Sequence, residues 1–166
     1  MRVLVSAALA LAGAVPPGWH SLRAHGLTVH YPPGWYATAH RLTPVTYPPQ
    51  VLAVASYPLP RNAAGADGCE PKEALERMPA DGAFIFGWEY VRPAQFAGLR
   101  VREFRPRPAH VRLRGFARYE CFGPSYLLRF RDRGRLFQVH VAFGRRADAR
   151  MRGTAVRILD RLVVSG

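Results

Sequence analysis

Ser125 to Phe143 reads Ser-Tyr-Leu-Leu-Arg-Phe-Arg, Asp-Arg-Gly-Arg, Leu-Phe-Gln-Val-His-Val-Ala-Phe. Two alternating runs meet at a short turn containing Gly134, a strong local signal for a β-hairpin. Successive strand residues face opposite sides, so Phe137, Val139, Val141 and Phe143 share one face, and Gln138, His140 and Ala142 share the other. In the first run Tyr126, Leu128 and Phe130 lie on one face, with Leu127, Arg129 and Arg131 opposite. A hairpin alone is not stable in water, so this aromatic face demands further strands and a covering helix.

The cover is predicted immediately downstream. Over Arg145 to Leu162, residues Ala147, Met151, Ala155, Ile158, Leu159 and Leu162 form one apolar stripe, and Arg150, Arg152, Arg157 and Arg161 lie off it. Asp148 is expected in the first turn, where the helix dipole favours an acid. This helix should cross the sheet over Phe137, Val139 and Val141, leaving Val163 to Gly166 extended. Upstream, Val51 to Tyr57 is an apolar run bounded by prolines, suited to a strand buried on both faces. Pro71 to Met78 reads as a two-turn helix with Glu70 and Glu73 at its positive end. Gly82 to Val91 is rich in aromatic and branched residues and reads as a strand. Shorter strands are expected at Leu27–Tyr31, Val101–Phe104, His110–Arg114 and Arg118–Phe122. The expected class is α+β: an antiparallel sheet of about six strands flanked by helices, in one domain over residues 15–166.

At 166 residues the chain has room for one substantial core, and 49% hydrophobic residues exclude a disordered polymer. The formal net charge is +13, and Lys72 is the only lysine among 24 basic residues. So complete a preference for arginine points first to a coding bias. Physically it still raises affinity for phosphates, anionic lipid and acidic polymers. Met1 to Val15 carries Arg2, an uncharged apolar run and the small-residue end Ala12-Gly13-Ala14, the pattern of a secretory signal peptide over residues 1–14. Export to the cell envelope or beyond is the expected localisation. Cys69 and Cys121 would pair in an oxidising compartment and remain buried thiols in a reducing one. Their spacing fits no zinc site.

Two tetrads, Pro16-Pro17-Gly18-Trp19 and Pro32-Pro33-Gly34-Trp35, are read as tight turns that each deliver a tryptophan onto the domain. His20, His25 and His30 are five apart, which matches neither a helix face nor a strand face, so they are read as turn or solvent histidines. Glu89 is the only acid in its apolar strand and is assigned an outward position or an arginine partner.

Gly26-Leu27-Thr28-Val29-His30-Tyr31-Pro32-Pro33-Gly34-Trp35 resembles the opening signature of the PsbP-like superfamily, in which a strand ending in an aromatic and proline leads into Gly-Trp. The resemblance implies an antiparallel sheet sandwiched by helices, and an accessory or binding role without catalytic residues. The cysteine pair and the arginine-rich composition depart from the photosystem members and point to an exported bacterial relative.

No nucleophile elbow, phosphate-binding loop, zinc-protease helix or dinucleotide fingerprint is present. No catalytic residue, cofactor or metal site is therefore assigned. One cluster stands out, the arginines between Arg105 and Arg135. Arg112, Arg114, Arg129 and Arg131 are its candidate anion-binding members, and the bland alternative is a solvated arginine face. The expected function is an exported, non-catalytic binding or accessory domain. Its candidate partners are an anionic cell-envelope polymer, a membrane surface or another envelope protein. Two other readings are an enzyme whose site assembles only in three dimensions, and an intracellular arginine-rich nucleic-acid binder. Export argues against the second of these.

Overall fold

A computed structural model describes residues 14–61, 68–91 and 99–165. The expected signal peptide, apart from Ala14, lies outside the described residues. In chain order the elements are β1 (His20–Ala24), β2 (Leu27–Tyr31), β3 (Tyr36–Ala37), β4 (Gln50–Ala55), α1 (Lys72–Glu76), β5 (Ala83–Glu89), β6 (Arg105–Pro106), β7 (Phe116–Tyr119), β8 (Gly123–Asp132), β9 (Arg135–Phe143), α2 (Ala149–Asp160) and β10 (Val163–Val164). The fold is α+β. Its large sheet has the order β3-β4-β5-β9-β8-β6, with β7 pairing on β8, and a second sheet has the order β1-β2-β10. The single sheet of about six strands expected from sequence is thus, among the described residues, seven strands plus a separate three. The strand at Leu27–Tyr31 belongs to the small sheet, because it pairs with β1 and with Val163–Val164 of the C-terminal end.

The hairpin of β8 and β9 forms in the register its alternation demands. Tyr126 faces Val141, Leu128 faces Val139 and Phe130 faces Phe137. Those residues, with Leu52, Val54 and Ile85, form the sheet face covered by Ala155, Ile158, Leu159 and Leu162 of α2 and by Leu27 and Val29 of the small sheet. The other face carries Ala53, Ala55, Phe84, Phe86, Trp88 and Ala142, and packs against Leu42, Tyr57, Ala74 of α1 and Phe122. The large sheet is therefore the middle of three layers, buried on both sides. That explains why β4 and β5 read as unbroken apolar runs. Each fully buried phenylalanine of this core contributes about 1.5–3 kcal/mol.

Both Pro-Pro-Gly-Trp tetrads form the expected turns. The Trp19 amide donates to the Pro16 carbonyl and the Trp35 amide to the Pro32 carbonyl, each at 3.2 Å. The glycines take positive φ, +78° at Gly18 and +81° at Gly34, which suits a residue without a side chain. Trp35 is buried and Trp19 packs at the core margin under the Arg161 guanidinium.

Three local readings are corrected. Val101–Glu103 is a 3-10 turn, not a strand. His110–Arg114 is not a strand either. Val111 and Leu113 do turn to the core, but the Val111 amide donates to the Asp160 carboxylate at 2.6 Å, and the segment lies across the end of α2. Asp148 sits one position before the helix, where its carboxylate accepts the Met151 amide as an N-cap.

Glu89 has an arginine partner, as read from its isolation. Arg135 grips it through two bonds, Nε to Oε1 at 2.8 Å and a terminal amino group to Oε2 at 2.6 Å. The same guanidinium donates to the carbonyls of His25 and Gly26 at the β1–β2 turn and lies over the Phe137 ring. One side chain thus ties the large sheet to the small one.

Candidate anion-binding site

The outer edge of β8 is covered in two pieces. Antiparallel β7 covers Gly123 to Tyr126, and parallel β6 covers Phe130 and Arg131. Between them Leu127, Leu128 and Arg129 have no strand neighbour on that side among the described residues. A cleft of about 480 Å³ opens there, bounded by the 103–114 segment and the end of α2. Its floor is Val111, Leu127, Leu128, Phe130, Leu159 and Leu162, and its polar walls are Glu103, Arg105, Arg107, Arg114 and Arg129.

The four arginines of the cleft differ in their engagements. Arg107 donates to Asp132 at 3.2 Å and to the Leu159 and Asp160 carbonyls at the end of α2, closing groups that a helix terminus leaves open. Arg129 pairs with Glu103 and donates from Nε to Gln138 Oε1 at 2.8 Å. Arg105 and Arg114 are exposed, and their guanidinium groups have no acidic partner among the described residues.

A polar chain runs inward from Arg129. With Gln138 Oε1 taken by Arg129, the Gln138 amide nitrogen donates to His140 Nε2 at 3.1 Å, so the remaining His140 proton is assigned to Nδ1, facing Ser125 Oγ at 3.0 Å. Burial first, and then the nearby Arg129 charge, pull the His140 pKa from 6.5 down to about 4. Trp88 and Tyr119 meet the imidazole edge-on and Phe122 stacks on it at 4.8 Å. A hydroxyl beside a neutral imidazole resembles a nucleophile and its base. Ser125 is 0% exposed and His140 1%, so neither reaches solvent or the cleft. The chain acts as a packed polar element of the core.

The four arginines expected to bind anions do not converge. Arg114 and Arg129 line the cleft, and Arg129 is occupied by Glu103 and Gln138. Arg131 lies on an adjoining, wider cleft, which shares Pro106, Arg107, Pro108 and Leu162 with the first, beside Asp132 and Arg133. Arg112 is exposed on the crossing segment and lines neither. Missing from that set of four were Arg105, Arg107 and Glu103. They reach the site through a two-residue parallel strand and a 3-10 turn, neither of which has a strong sequence signature. Arg118 pairs opposite Pro124 on β7, on the same side as Phe116 and Tyr126 and so toward the α2 layer.

Cys69 and Cys121 form a disulfide that ties the segment before α1 to the β7–β8 turn, next to Phe122 and the His140 cage. Among the described residues no group of three His, Cys, Asp or Glu side chains is gathered for a metal, and no helix is long and apolar enough to cross a membrane. Comparison with known protein families, with curated proteins and with solved structures gives no match.

Proposed function

We propose that this chain is an exported, non-catalytic accessory domain that binds anionic surfaces of the cell envelope through the α2 layer and the neighbouring β7–β8 edge. The observation that carries the reading is the segregation of charge. Residues 99–165 hold seventeen arginines and five acids, whereas residues 68–91, which include α1, hold five acids and two bases. On the basic side Arg105, Arg112, Arg114 and Arg118 are exposed, with no acidic partner among the described residues, and Phe116, 61% exposed, lies between Arg114 and Arg118 in the chain and against the Tyr126 ring. An exposed aromatic side chain flanked in the chain by arginines suits the interface of an anionic bilayer, where each cation near the surface contributes about 1 kcal/mol. The disulfide supports export, as does the leader-like sequence of residues 1–14. The proposal extends to a PsbP-like relationship, which rests on the resemblance carried by Gly26–Trp35.

Vesicle co-sedimentation tests the surface reading. Vesicles containing phosphatidylglycerol should carry the protein down at low salt and release it as salt rises, and phosphatidylcholine vesicles should not. The triple variant R112E/R114E/R118E should abolish the binding. Equal sedimentation with both lipids, or none with either at low salt, would refute it. Export is tested by intact mass of protein made in its native host, expected to lack the first fourteen residues and two hydrogens.

A further inference from the structure

We propose that the cleft at the open edge of β8 is a binding site for a single acyl chain ending in an anionic head group, such as a fatty-acid carboxylate. The proposal rests on the reading of this edge as anion-binding and adds a ligand class. The volume of about 480 Å³ lies in the range of small-molecule sites. Its floor is aliphatic apart from one ring, that of Phe130, and among the described residues its lining offers none of the fixed side-chain amides or hydroxyls that orient a sugar or a nucleobase. A flexible hydrocarbon needs only such apolar area. The walls supply Arg105 and Arg114, cations with no acidic partner among the described residues, and the cleft's one acid, Glu103, is already held by Arg129. The unmatched charge calls for one anionic head. The lining draws on both sides of β8, with Leu127 and Arg129 on one and Leu128 and Phe130 on the other, so the space crosses the strand edge and favours a long, narrow ligand.

Calorimetric titration of the full chain with butyrate, octanoate, decanoate and dodecanoate, all as monomers at low ionic strength, tests this. Affinity should rise about fourfold per added methylene until the cleft is filled. Butyrate should not bind detectably, and octyl glucoside, a chain of the same length with a neutral head, should bind at least tenfold more weakly than octanoate. The exposed pair R105S/R114S should weaken dodecanoate at least tenfold while leaving the urea midpoint unchanged. Leu127→Trp, which fills the floor from a half-buried position, should block the chain without removing a charge. Affinity independent of chain length, or unchanged in both variants, would overturn the proposal. Vesicle binding without dodecanoate binding would overturn the cleft and leave the surface reading standing. Dodecanoate binding without vesicle binding would uphold the cleft and remove the surface.

Discussion

Acid should destabilise this fold through His140 by an amount that one substitution isolates. The imidazole is 1% exposed, and its pKa falls from 6.5 to about 4, first through burial and then through the Arg129 charge. Geometry gives the same direction. Protonation would place a second N–H at Nε2, facing the Gln138 amide hydrogens. Gln138 cannot turn its oxygen inward without surrendering the Arg129 Nε–H. Because the folded pKa lies below the unfolded one, the unfolded chain binds the proton first. His140 therefore costs nothing above about pH 7, and stability is lost progressively as pH falls from 6.5 toward 4. At 1.36 kcal/mol per pKa unit the full loss is about 3 kcal/mol, with about 2.5 kcal/mol of it gone by pH 4.5. Urea unfolding of the wild type and of His140→Gln, at pH 7.5, 5.5 and 4.5, measures it. Glutamine can accept from Gln138 and donate to Ser125, so the variant should fold at pH 7.5. Its stability should then decline less than that of the wild type by about 2.5 kcal/mol at pH 4.5. Parallel declines for the two proteins would refute the reasoning, as would a histidine resonance from this site titrating near 6.5.

Reducing the Cys69–Cys121 bond, or replacing both cysteines by serine, should cost about 4 kcal/mol in the chain-entropy account, given a separation of 52 residues; the check is the urea midpoint with and without reductant. Two glycine substitutions should act in opposite directions. A Cβ at Gly144 would stand 2.3 Å from the Pro79 and Ala80 carbonyl oxygens, so Gly144→Ala should destabilise by about 3 kcal/mol or more. A Cβ at Gly153 meets nothing within 4 Å on α2, so Gly153→Ala should stabilise by up to about 1 kcal/mol in thermal unfolding.

What could be seen in the sequence followed local periodicity. The β8–β9 register, the apolar stripe of α2, the both-sides-buried β4 and the twin Trp turns each depend on residues within a few positions of one another, and all four form. The failures are long-range. Whether Leu27–Tyr31 joins the large sheet or a separate one depends on Val163 and Val164, more than 130 residues away, which β2 recruits as its second neighbour. His110–Arg114 alternates like a strand, and its apolar members do face the core. Its backbone was claimed instead by Asp160, and periodicity cannot show where a backbone hydrogen bond goes. The cleft was illegible for the same reason. It exists because β6 and β7 stop short of each other along β8, a fact of tertiary pairing. The charge cluster includes Arg129 and Arg131 of β8, but which of its arginines hold a partner depends on Glu103, Asp132 and the carbonyls at the end of α2.

That distinction also bears on the origin of the arginines. A coding bias would scatter guanidinium groups over the surface without using their shape. Arg107, Arg129 and Arg135 each bond at least two acceptors on different elements, which a planar fork of five donors allows and a lysine ammonium does not reproduce. Among the described residues Arg112, Arg114 and Arg118 make no such bonds. Lysine substitution separates the two kinds. Arg135→Lys keeps the charge but loses the bidentate grip on Glu89, the bonds to the β1–β2 turn and the stacking on Phe137, and should cost about 2 kcal/mol, within the range for disrupting a largely desolvated pair. Arg118→Lys should leave stability within about 0.5 kcal/mol and retain vesicle binding. Equal effects from both would mean that Arg135 contributes only its charge, and that the junction between the two sheets is held by apolar packing alone.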